Sequence, residues 1–141
     1  EPVWEVMRMI GRDLVEFITN LRSRLDMVSQ YTEVWNLNKG PSQFKVLFLP
    51  RVDSLPEDAS GVLGYQVKAL GLEEDVLAIV SPDSRGEGYG MRRFNDDARL
   101  DFSELGEEPD VHFAHARGFI AKTSAVEVSR LKTLLLQSYL N

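Results

Sequence analysis

The chain has 141 residues, 43% of them hydrophobic and 27% charged, the balance of one globular domain large enough to bury its own core. It contains no cysteine, which excludes disulfides, thiolate metal sites and a cysteine nucleophile, and points to a reducing, cytoplasmic setting. The formal net charge of −6 argues against nucleic-acid binding through a broad basic surface, and no apolar run approaches the ~20 residues of a membrane helix, so no membrane partner is expected.

Residues 1–30 repeat apolar side chains at helical spacing: Val3, Met7, Ile10, Leu14, Phe17 or Ile18, Leu21, Leu25 and Val28. The pattern predicts a helix about 40 Å long. Trp4, Val6 and Met9 widen the apolar face at its front, as expected of a helix that connects to another domain, with packing on its own domain as the alternative. Residues 31–141 read as a separate α/β unit. Strands are predicted at Tyr31–Leu37 and Phe44–Leu49, joined by the turn residues Asn38-Lys39-Gly40-Pro41. The second half of Ser54–Leu70 reads as helix, stopped by Gly71. Val76–Ser81 is apolar on both faces and is expected to be a central strand. Turn chemistry over Pro82–Gly88 leads into a strand at Tyr89–Phe94, and Asn95-Asp96-Asp97-Ala98 turns again. Asp101 is placed to cap a short helix ending at Leu105. Val111–Phe119 is expected to be one strand. Ser124 with Glu127 has the spacing of a capping box for a last helix with Val128, Leu131, Leu134, Leu135 and Tyr139 on its apolar face. The acidic clusters Glu57-Asp58, Glu73-Glu74-Asp75, Asp96-Asp97 and Glu107-Glu108 read as solvated loops and helix ends. Together the elements predict an α/β fold with a mixed, mostly antiparallel sheet of about five strands covered by helices.

The stretch His112–Thr123 carries the strongest chemical signal. It holds both histidines of the chain, with Arg117, Gly118 and Lys122, in surroundings apolar enough for a buried strand. Polar groups taken from water must find partners, so a strand of this composition suggests a bound anion, in particular phosphate. Arg117 and Lys122 can pair with phosphate oxygens, Gly118 allows a close backbone approach or a positive φ, and the helix opened by Ser124 would add N–H donors. Strand alternation sends His112 and His115 to opposite faces, so they share a metal only if the strand ends or bulges between them. Asp110 is the one close carboxylate, and His112 is read as a core or edge histidine. Arg92 and Arg93 also alternate, as a phosphate clamp or as ion-pair partners. Gly86, Gly88 and Gly90 lie between two strands, whereas a nucleotide loop opens a helix. There is no serine nucleophile elbow.

Three features resemble the DHH-associated C-terminal domain of the DHH phosphoesterase superfamily. The strand Met91-Arg92-Arg93-Phe94 is followed by the short Leu100–Leu105 helix. A strand with His115-Ala116-Arg117-Gly118-Phe119 comes next, and a helix closes the chain. The likeness covers about the last half of the chain and looks closest to the Myg-type or exopolyphosphatase-like branches. It departs from the family's Gly-Gly-His-x-x-Ala pattern, since Phe113-Ala114 occupy the glycine positions. The Asp-His-His motif of the catalytic half is absent. The resemblance implies a substrate-binding domain whose partner is an N-terminal DHH catalytic domain holding manganese or magnesium. The cofactor lies in that domain and none is implied in this chain. His115 and Gly118 would serve the motif strand, and Arg92 or Arg93 the phosphate clamp. Arg117 and Lys122 are added on charge alone. The substrate would be an oligonucleotide, nucleotide or polyphosphate, and this chain alone would be inactive. The alternative expectations are a stand-alone regulatory module binding a nucleotide or phosphometabolite, and a homodimer formed through the first helix.

Overall fold

The computed structural model describes residues 2–56 and 59–140, with side chains described from residue 11 onward. The apolar front expected at Trp4, Val6 and Met9 and the acidic pair Glu57-Asp58 lie outside the described side chains. The chain runs through helix α1 (Pro2–Ser29), strands β1 (Glu33–Lys39) and β2 (Ser42–Phe48), a 3-10 turn (Ala59–Val62) and helix α2 (Leu63–Ala69). Strands β3 (Val76–Pro82) and β4 (Tyr89–Arg93), a second 3-10 turn (Phe102–Leu105), strands β5 (Val111–Ala114) and β6 (Ile120–Thr123), and helix α3 (Val128–Ser138) complete it. The six strands form one sheet in the order β1-β2-β3-β4-β6-β5. Every neighbouring pair is antiparallel except β2 and β3. The predicted fold class therefore holds, with one strand more than expected.

Alternation on the strands sorts side chains into two cores. On one face Trp35, Phe44, Val46, Phe48, Val80, Met91 and Ala121 meet Phe102, Leu105 and the buried Leu131, Leu134 and Leu135 of α3. Trp35 stacks on Phe48 at 4.3 Å between ring centroids, and Phe44 on Tyr139 at 4.9 Å. On the other face Leu47, Val76 and Ile79 are covered by Val28 of α1, by Ala59 and Val62 of the first 3-10 turn, and by Leu63 and Val67 of α2. Strand β3 is thus buried on both faces, as its unbroken apolar run requires. Burying each such side chain contributes roughly 1.5–3 kcal/mol. Among the described residues of α1, Leu21, Leu25 and Val28 join this packing. Leu14, Val15, Phe17 and Ile18 remain 41–63% exposed.

Two expectations are corrected. The run Val111–Phe119 is two strands: Gly118 N–H donates to His115 O at 2.8 Å and His115 N–H to Ile120 O at 2.9 Å, which reverses the chain. Gly118 makes the reversal possible with φ +79°. The last helix begins at Val128 with Glu127 as N-cap and no side-chain capping bond, so the capping box is not formed. The Thr123 and Ser124 hydroxyls instead donate to Asp110 O at 2.7 and 3.3 Å, holding the chain against β5 before the helix starts. Asp101, by contrast, caps the short helical turn as expected, accepting from Ser103 N–H at 3.0 Å.

Helix α3 is tied to the entry of β5 by charge. Arg130 donates to both oxygens of Asp110 at 2.8 Å and to Glu108 at 2.9 Å. Hydrogen bonds from Gln137 and then Arg130 hold the Glu108 carboxyl below the usual carboxylate range. The Arg130 guanidinium does the same for Asp110. A carboxyl whose folded value is depressed stabilises the fold above its unfolded value and loses that contribution as pH falls through its folded value. Arg130→Met should therefore lower the thermal midpoint at pH 7, with a deficit that shrinks as pH falls below about 4. Calorimetry of both proteins across pH 2–7 checks this, and a deficit independent of pH would contradict it.

Candidate functional site

The second core covers only part of its sheet face. Its helical cover lies over β2 and β3 and gives out at β4. Register aligns Ile79 with Arg92, Ser81 with Gly90, Gly90 with Lys122 and Arg92 with Ile120. Phe113 on β5 pairs with Lys122. Ser81, Gly90, Arg92, Ile120, Lys122 and Phe113 therefore share one face, open to solvent beyond the 3-10 turn at Ser60. This open face is a groove. A cavity of about 190 Å³ is lined by residues that include Ser60, Ser81, Asp83, Gly90, Arg92 and Lys122. Lys122 and Asp83 also border a wider depression of about 550 Å³, together with Arg85, Gly86, His112 and Phe113. A third cavity of about 220 Å³ continues past Ser60 and Asp83 to Arg51 and Leu55, at the carboxyl ends of the parallel strands β2 and β3. That is where open α/β sheets commonly receive ligands.

The wall of the groove is the loop 83–88, and it is held in place. Arg51 donates from Nη2 to the carbonyls of Asp83, Gly86 and Gly88 at 3.0, 2.8 and 2.7 Å. Its own N–H donates to Tyr89 Oη at 3.0 Å. Gly88 lies so close to β6 that a Cβ there would stand 1.8 Å from Thr123 O. Within this loop the Asp83 carboxylate is buried and accepts from Arg85 N–H at 3.1 Å. His112 Nε2 stands 3.7 Å from its second oxygen.

The cations of the groove are short of partners. Arg92 donates from Nη2 to Ser60 O at 3.2 Å, and burial pulls its guanidinium below its ordinary value. Among the described residues, no carboxylate forms an ion pair with Arg92 or Lys122. Partly buried positive charge without an ion-pair partner is unfavourable, and the Asp83 carboxylate lines the same cavity without pairing with either cation. Among the described residues no cluster of three or more His, Asp or Glu could hold a metal ion.

The six residues singled out by sequence divide into two groups. Arg92 and Lys122 meet in the groove. Arg93, His115, Arg117 and Gly118 meet at the β5–β6 turn, where they hold one another. Arg93, on the opposite face from Arg92, donates to Leu100 O at 3.1 Å and Arg117 O at 3.0 Å, and pairs with Asp96 at 3.0 Å. Its guanidinium lies 4.7 Å over the Phe119 ring, while its buried Nε has no partner. His115 is partly exposed, and its Nδ1 accepts from Arg117 N–H at 3.0 Å. Its ring lies 5.0 Å from that of Phe119. Gly118 packs against Asp101, whose Oδ1 would lie 2.2 Å from an added Cβ.

Sequence reasoning did not single out Asp83 or Arg85, and its reading of His112 as a core or edge histidine agrees with the place of His112 on the edge strand β5. Strand β5 bulges between Val111 and Phe113. His112 and Phe113 consequently line the same depression. Comparison with known proteins returns no match: no family model fits the chain, and no curated protein or solved structure is significantly similar to it.

The two neighbouring arginines should respond differently to substitution. Arg93→Ala leaves carbonyls unpaired and should destabilise the fold by about 2 kcal/mol. Arg92→Ala, which gives up one carbonyl contact, should cost about 1 kcal/mol or less. Gly118→Ala should cost at least about 1 kcal/mol from its positive φ alone. Urea unfolding of the three variants tests this, and equal losses for Arg92 and Arg93 would contradict the division.

Proposed function

We propose that this chain is a substrate-binding domain that grips phosphate through Arg92 and Lys122, working beside a separate metal-dependent DHH-type phosphoesterase domain. The observation that carries the reading is the pairing of these two cations on the open sheet face without a carboxylate partner among the described residues. An arginine fork and a lysine point charge are complementary ways to hold phosphate oxygens. The acidic remainder of the molecule limits such binding to a local site and disfavours broad contact along a polyanion.

The reading also accounts for α1. Its exposed Leu14, Val15, Phe17 and Ile18 form a face fit to lie against another domain. In this role α1 is the connection to a catalytic domain that supplies manganese or magnesium. Among the described residues no helix is long and apolar enough to cross a membrane. A cytoplasmic enzyme acting on oligonucleotides, nucleotides or polyphosphate fits the whole.

Titration with 5′-phosphorylated trithymidylate and with pyrophosphate, followed by calorimetry, tests the groove. Arg92→Ala and Lys122→Ala should each weaken binding about tenfold, equivalent to about 1.4 kcal/mol. Higher salt should weaken binding by the unsubstituted chain. With manganese added, the chain should hydrolyse neither ligand. Binding that survives removal of both cations would overturn the groove as the site, and clear turnover would overturn the placing of catalysis elsewhere.

A further inference from the structure

We infer that His112 is a third, proton-gated cation of the groove, so that the chain holds a phosphorylated ligand more tightly at mildly acid pH. The inference rests on the groove reading and adds a residue and a regulation to it. His112 and Lys122 line the same depression, and Lys122 also lines the neighbouring cavity with Arg92. The three side chains therefore border one continuous surface, with Lys122 between the other two. The His112 side chain is 53% exposed, so a ligand in the groove can reach it.

Behind it stands Asp83, whose side chain is 5% exposed. A buried carboxylate needs donors, and Asp83 has the Arg85 N–H on one oxygen while the other faces His112 Nε2 at 3.7 Å. That separation is beyond a hydrogen bond and within reach of an ion pair. The backbone that carries Asp83 is held by Arg51 on its carbonyl and by the close packing of Gly88 on β6. It acts as a positioning residue, giving a protonated imidazole a fixed counter-charge on the side away from the ligand.

The groups facing His112 pull in both directions. Asp83 favours the imidazolium, whereas Lys122 and Arg85 in the same depression oppose it. An incoming phosphate cancels the opposition from the two cations and adds its own attraction. Ligand and proton therefore bind together, and by linkage each tightens the other. Histidine is the side chain suited to this, since it changes charge between about pH 5 and 8. The sign follows: the added affinity is present at the acid end of that range and is lost as pH rises through it.

The test compares binding of 5′-phosphorylated trithymidylate by the wild-type chain and by His112→Gln from pH 5.5 to 8. The ligand's own ionisation near pH 6 is common to both proteins and cancels in the ratio. The wild-type chain should bind on the order of tenfold more tightly than the variant at pH 5.5, and within about twofold of it at pH 8. His112→Lys, which keeps a charge at every pH, should lose the tightening on acidification relative to His112→Gln. His115→Gln should follow the wild-type chain. Imidazole NMR gives a separate readout: ligand should move the titration midpoint of His112 upward and leave that of His115 in place. A wild-type to His112→Gln ratio that stays constant with pH, while Arg92→Ala still loses binding, overturns the gate and leaves the groove standing. No binding at any pH overturns both.

Discussion

The site exists because the second core runs out before the sheet does. Strand β3 presents hydrocarbon on both faces, and α1, the first 3-10 turn and α2 gather over it and over β2 to remove that surface from water. The C-terminal end of α1, one 3-10 turn and the short α2 do not reach across six strands. Past β3 the same face carries Arg92 and Lys122, side chains that one closed apolar layer could not accommodate without partners. Leaving this half-face open keeps the cations in contact with solvent and makes a groove at the border of a strand buried over its first five residues.

Arg92 and Arg93 show how one residue step along a strand changes a side chain's role. The pleat turns Arg93 toward the first core, where its guanidinium is held by two carbonyls, a carboxylate and the face of Phe119. Arg92 is turned toward the groove with a single carbonyl, at the edge of the helical cover. The first ties the end of β4 to the 95–101 loop and the β5–β6 turn. The second stays under-bonded, which sacrifices some stability at a position suited to a ligand. In a molecule with net charge −6, these two cations form a local exception to the acidic surroundings.

Much of the organisation can be read from the chain by pattern. The double-sided apolar run of β3, the hairpin turn at Gly40, the cap at Asp101 and the left-handed Asn95 and Asp96 of the acidic turn each follow from residues adjacent in sequence. The misreadings share a cause. Val111–Phe119 looks like one strand because its apolar content is continuous, and only the pairing of β5 with β6 reveals the turn within it. Ser124 and Glu127 have capping-box spacing, yet Asp110, far back in sequence, draws the Ser124 hydroxyl away. The bulge in β5, which brings Phe113 beside His112, likewise depends on pairing rather than on neighbours in sequence.

The order and type of the main elements, and the presence of unusual cations on the late strands, were determined by the sequence itself, since periodicity, turn chemistry and caps act over a few residues. Which cations meet was decided by the tertiary structure alone. Lys122 joins Arg92 through the β4–β6 register, and His112 joins them through a bulge and a loop anchored by Arg51 some thirty residues away. Local sequence sets how a residue points along its own strand. Only pairing and packing set what it points at.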